Sequence, residues 1–90
     1  MQIIFLDNGG ELRIYDDGDQ FYYLDNAFHR LDGPACIFNS GFKSWWVNGK
    51  RHRLDGPAIE DGYGKNEWYI NDIEYSEEDF NVIKEVLWAI

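Results

Sequence analysis

His29, Arg30 and Asp32 recur as His52, Arg53 and Asp55 inside a seven-residue segment, HRLDGPA, which stands unchanged at His29 to Ala35 and at His52 to Ala58. An imidazole, a guanidinium and a carboxylate so close together are the groups of proton transfer, metal ligation or anion binding. Metal ligation fits poorly, because a transition-metal site needs three or four convergent donors and neither copy contains a cysteine. Catalysis fits poorly too, since a reaction seldom needs two identical copies of its machinery. A turn in a repeating fold does need them. His29, Asp32, Gly33 and Pro34, with His52, Asp55, Gly56 and Pro57, are therefore read as a structural turn motif. Proline fixes φ and lacks an amide hydrogen, so it belongs at a bend. The aspartate is expected to close an Asx turn by accepting an amide two residues on, and the histidine to donate across it.

The rest of the chain offers little reactive chemistry. No phosphate loop, CxxC, HExxH or nucleophile elbow is present. Asp16-Asp17-Gly18-Asp19 lacks the alternating donors and twelfth-position glutamate of a calcium loop. Acid pairs such as Glu60-Asp61 and Glu77-Glu78 lie in segments that stay solvated, which leaves their pKa values unsuited to general acid work. No catalytic residue, metal or cofactor is assigned, and the chain is read as a non-enzyme.

A stronger candidate for a working surface is a ladder of rings. Tyr22-Tyr23, Trp45-Trp46 and Trp68-Tyr69 occupy equivalent positions. In strands, successive side chains face opposite sides. Tyr22, Trp45 and Trp68 then share a face with Leu24, Val47 and Ile70, the expected core side. Tyr23, Trp46 and Tyr69 fall on the more polar side, where a row of rings beside Lys50, Arg51 and Arg53 has the composition of a protein-binding hot spot. These six residues, Tyr23, Trp46, Tyr69, Lys50, Arg51 and Arg53, form the expected contact cluster.

Positioning such a ladder requires a repeat, and the offset between the two motifs is 23 residues. Units of that length cannot bury their own apolar face and must stack on their neighbours. Short aromatic and branched runs broken by turn residues predict antiparallel hairpins. Asp25-Asn26, Asn48-Gly49 and Asn71-Asp72 supply one row of two-residue turns, and Gly18, Gly41 and Gly64 mark another. Asn8-Gly9-Gly10 joins an earlier strand at 2–6 to one at 11–15. In the third unit HRLDGPA is replaced by Tyr75 to Asn81, where Ser76 is a suitable N-cap and Glu77, Glu78 and Asp79 suit a helix start. Phe80, Ile83, Leu87 and Ile90 then line one helical face. The predicted fold is a mainly β antiparallel hairpin-repeat meander of three 23-residue units with one C-terminal α-helix. It forms a single domain: an N-terminal strand at 1–11, hairpin repeats at 12–34, 35–57 and 58–75, and a capping helix at 76–90.

Ninety residues make a small core, which sixteen aromatic side chains partly offset. Cys36 is alone, so no disulfide contributes, and neither a leader-like segment nor a long apolar run is evident. A cytoplasmic protein is expected. Net charge is −9, distributed as −5 over residues 1–28, +3 over 29–57 and −7 over 58–90. Such acidity disfavours nucleic acid and anionic membrane as partners.

The run W-W-V-N-G-K-R-H-R-L-D-G-P-A with the later E-W-Y-I-N-D-I-E-Y-S-E-E-D-F resembles a family of short aromatic repeat proteins of tailed phages and giant viruses, over about Tyr22 to Asn81. It is distantly similar to the MORN repeat, although the MORN His-Gly-x-Gly is replaced here, so lipid binding does not carry over. The resemblance implies a viral origin and no known catalytic residues. The expected function is that of a non-enzymatic, phage-type module binding a host protein, as an inhibitor of a defence or regulatory protein. Alternatives are a small-anion or nucleotide sponge clamped by Arg30 and Arg53, an acidic DNA mimic, and a structural virion component. A monomer or small homo-oligomer is expected.

Overall fold

The computed structural model describes residues 1–88, and Ile90, expected on the apolar helix face, lies outside them. Three two-residue turns set the architecture. Asp25 and Asn26 have φ of 51° and 64°, Asn48 and Gly49 52° and 78°, and Asn71 and Asp72 49° and 71°. Two consecutive positive φ values are what tight hairpins matching strand twist require, and Asn, Asp and Gly reach them at least cost. These turns join β3 (Gln20–Leu24) to β4 (Ala27–Phe28), β7 (Trp46–Val47) to β8 (Lys50–Arg51), and β10 (Asn66–Ile70) to β11 (Ile73–Tyr75).

The remaining strands are β1 (Gln2–Phe5), β2 (Glu11–Ile14), β5 (Cys36–Ile37), β6 (Lys43–Ser44) and β9 (Ile59–Glu60). Hydrogen-bonded neighbours run β1-β2-β3-β5-β6-β9-β10-β11, with β4 also on β3 and β7 paired to β8, all antiparallel. The 23-residue offset reappears as register: Ile14 pairs Gln20, Ile37 pairs Lys43 and Glu60 pairs Asn66. Gly18, Gly41 and Gly64 all have positive φ, near 95°, in the second row of turns.

Helix α1 (Glu77–Trp88) starts as expected, with the Asp79 amide donating to Ser76 Oγ at 3.1 Å. It packs on β10 and β11 through Phe80, which is fully buried. Further along, Ile83 is half-buried and Leu87 exposed, so the predicted apolar face engages mainly through its first turn.

The product is a slab of 40 × 31 × 16 Å with a radius of gyration of 13.8 Å, against about 12 Å for a compact chain of this length. One sheet makes up most of that thickness. Among the described residues only Gly10, Ala35, Cys36, Ser44, Ala58, Tyr69, Ile70 and Phe80 are buried. A fold with so few fully buried side chains depends on half-buried rings packing on one another and on guanidinium planes.

Candidate functional site

The HRLDGPA motif folds around its arginine. Arg30 lies over the Tyr22 ring at 4.1 Å, and Arg53 over Trp45 at 3.8 Å. Each ring stands eight residues before its arginine. Arg30 Nε donates to Asp32 Oδ1 at 2.9 Å and Nη1 to the Pro34 carbonyl at 3.1 Å; Arg53 repeats this with Asp55 at 2.8 Å and Pro57 at 3.0 Å. The aspartates therefore do not form the Asx turns expected of them. A charged donor two residues away outcompetes a neutral amide for the carboxylate. Asx turns occur instead at Asn8, Asp17 and Asp61, which accept from Gly10, Asp19 and Tyr63.

The motif glycines are explained by the same clamp. A Cβ on Gly33 would sit 2.8 Å from the Arg30 Cζ, and one on Gly56 2.9 Å from the Arg53 Cζ, so the guanidinium occupies the space of the missing side chain. Ala35 and Ala58 are fully buried, and their carbonyls accept from the Tyr22 and Trp45 amides.

The histidines fasten one unit to the next, as acceptors where donation was expected. His29 Nδ1 accepts from the Asn48 amide at 3.0 Å, and His52 Nδ1 from the Asn71 amide at 3.1 Å. An acceptor at Nδ1 places the proton on Nε2. Burial holds His52 below its ordinary pKa, which favours the neutral ring this bond needs. The Arg30 amide donates to the Trp46 carbonyl and the Arg53 amide to that of Tyr69, so each motif is bonded twice to the following hairpin.

Between the two motif loops lies a cleft of about 590 Å³ floored by Trp45 and Val47 and walled by Arg30, Leu31, Arg53 and Leu54. Asp32, held below the ordinary carboxylate range by its hydrogen bond to Arg30, and Asp55 share this wall.

The opposite face carries the ring ladder. Tyr23 packs on Phe28 with centroids 5.0 Å apart, and Phe28 on Trp46 at 5.5 Å; Phe21 joins from below, 5.9 Å from Phe28. Arg51 continues the row, 5.9 Å from the Trp46 centroid and 4.3 Å from that of Tyr69, with its Nε bonded to Asp72 Oδ1 at 2.7 Å. Arg13 covers the far end over Tyr23 at 4.4 Å. That pairing with Asp72 raises the Arg51 pKa and lowers the pKa of Asp72. Trp46 Nε1 donates to Ser44 Oγ at 2.8 Å, which fixes the indole.

Four of the six expected contact residues, Tyr23, Trp46, Arg51 and Tyr69, are thus brought into one row. Three of the expected contacts lie elsewhere than on an open ladder face. Tyr69 is 7% exposed and cannot serve as an open contact. Arg53 belongs to the cleft face, clamped over Trp45 and bonded also to Glu60 at 3.2 Å. Lys50 pairs with Val47 across β7 and β8 and so also projects from the cleft side, exposed. Period-two alternation separated these faces but could not say what covers them. Phe28, at the centre of the ladder, was missed, although its position opposite Tyr23 in a two-residue hairpin implied it.

Among the described residues no group of three or more His, Cys, Asp or Glu side chains could hold a metal ion, and no helix is long and apolar enough to cross a membrane. Comparison with protein-family models, curated proteins and solved structures finds no match for this chain.

Proposed function

We propose that this chain is a non-enzymatic protein-binding module whose working surface is the Tyr23, Phe28, Trp46 and Arg51 row. The observation that carries this reading is a ladder of half-buried rings, tied together at 5.0 to 5.5 Å and ending in a guanidinium, on a molecule only 16 Å through its shortest axis. Rigid rings cost little entropy on binding, and Trp, Tyr and Arg dominate hot spots. The titratable groups serve geometry. Asp32 and Asp72 are pushed down by guanidiniums, away from the raised values of a proton donor at neutral pH. The narrower reading, a viral protein that inhibits a host defence or regulatory protein, rests on the resemblance of Tyr22 to Asn81 alone.

The test is capture of partners by the tagged protein, beside a Trp46→Ala, Arg51→Ala variant with an unchanged circular dichroism spectrum. A stoichiometric partner lost with the variant is the expected result. A partner retained at equal affinity would remove this face from consideration. A second reading, a small anion in the 590 Å³ cleft, is favoured by the Nη2 groups of Arg30 and Arg53, for which no hydrogen bond is found among the described residues. Inorganic phosphate or ATP would then raise the melting temperature, and Arg30→Ala would abolish the shift.

A further inference from the structure

The sheet ends on one side in β1, a strand that no other element among the described residues covers. All four residues of β1, Gln2, Ile3, Ile4 and Phe5, are exposed, Phe5 at 79%, and none is charged. The other end is different. β11 carries Glu74, follows Asp72, and leads into Ser76 and the acids of α1, which packs against it. Exposed edges are normally blunted by charge, proline or a covering element, and among the described residues β1 has none of these.

The direction of the free hydrogen-bonding groups follows from the first hairpin. The Leu6 amide donates to the Gly10 carbonyl, so Leu6 faces β2, and by alternation so do Ile4 and Gln2. Ile3 and Phe5 turn their amides and carbonyls outward. We infer that β1 pairs with β1 of a second copy, antiparallel about a two-fold axis through Ile4, to make one continuous sheet across the dimer.

Parity and charge select that register. Outward groups sit on odd residues, so only registers that pair odd with odd residues form bonds. The one centred on Ile4 sets Ile3 opposite Phe5 of the second copy twice, for four backbone hydrogen bonds. Ile4 meets Ile4 as the closer, non-hydrogen-bonded pair at the axis. On the Ile4 face the row Tyr22, Leu12, Ile4 given by the strand registers runs unbroken into its own reversed copy. On the other face Arg13 stands opposite Ile3 and Glu11 opposite Phe5. The two-fold therefore sets Arg13 in the row of Glu11 of the second copy and Glu11 in the row of its Arg13, and like charges never share a row. Pairing β1 with β11 of another copy would bring in Glu74 and would grow without closing.

The experiment is sedimentation velocity over a thousandfold range of protein concentration, with substitutions that leave the β1–β2 ladder intact. A reversible dimer is expected for the wild type. Ile4→Lys, which sets two ammonium groups face to face at the axis, and Ile3→Pro, which removes an outward donor only, should each weaken it at least tenfold without changing the circular dichroism spectrum. Register is read by cysteine. Under oxidised glutathione Ile4→Cys should cross-link to itself, since Cα atoms of such a pair fall in disulfide range, whereas Ile3→Cys and Phe5→Cys should not. Cys36 does not interfere, being buried with its thiol pushed up to about 11. A monomer throughout, a dimer indifferent to Ile4→Lys, open-ended association, or cross-linking through Ile3→Cys but not Ile4→Cys would each overturn the assignment.

Discussion

The two copies of HRLDGPA have one sequence and almost one geometry, yet different surroundings. Inside the motif the bonds from arginine to aspartate and proline agree to about 0.1 Å between copies. Outside it they part. Arg30 rests on a tyrosine, and the position that could offer it a second carboxylate is Ile37; Arg53 rests on a tryptophan and reaches Glu60. Leu31 is 80% exposed while Leu54 is half-buried. Identical residues thus fix local shape, and the neighbours decide how much that shape is worth.

The largest expected effect is on the second clamp. Arg53→Ala should cost about 2–4 kcal/mol in urea unfolding and Arg30→Ala about 1–2 kcal/mol, from loss of the cation–π contact and the charged hydrogen bonds. Equal losses would show that Trp45 and Glu60 add nothing to the second copy. Next comes Gly56→Ala, which should destabilise by about 1–2 kcal/mol by displacing the guanidinium. In an Arg53→Ala background the same change should cost almost nothing, and simple additivity in that double-mutant cycle would refute the shared-space explanation.

A pH scan follows. The folded-state pKa of His52 lies below its unfolded value, so its contribution is fully present above about pH 6.5 and is lost as pH falls through the folded value. Wild-type urea midpoints should drop between pH 7.5 and 5.5, and His52→Gln should flatten that drop; an unchanged slope would place the titrating group elsewhere. The smallest effect sharpens the comparison from the other side. Ile37→Glu gives the first clamp its missing carboxylate and should narrow the gap between the two arginine variants by about 0.5 kcal/mol.

Much of the architecture was readable from the residues. The turn pairs Asp25-Asn26, Asn48-Gly49 and Asn71-Asp72 announce positive φ by composition, and the 23-residue offset carries through to strand register. The Ser76 helix start was equally local. What stayed hidden was contact between segments. The arginine clamp left a trace, because ring and arginine recur together eight residues apart in both units and the arginine is lost in the third, where Ser76 stands at its position. The histidine bond to the next hairpin spans nineteen residues and depends on how units stack, which periodicity does not give. Burial of Tyr69 depends on which neighbours cover its strand, and alternation is silent on that.

Because the histidine and backbone bonds that fasten one unit to its successor repeat at one fixed offset, the chain is a ruler as well as a fold. Inserting one more 23-residue segment at Ala35 would lengthen the slab by one step while leaving β1 and α1 as they are, so the distance between a pairing edge and an acidic end is written directly in the number of repeats.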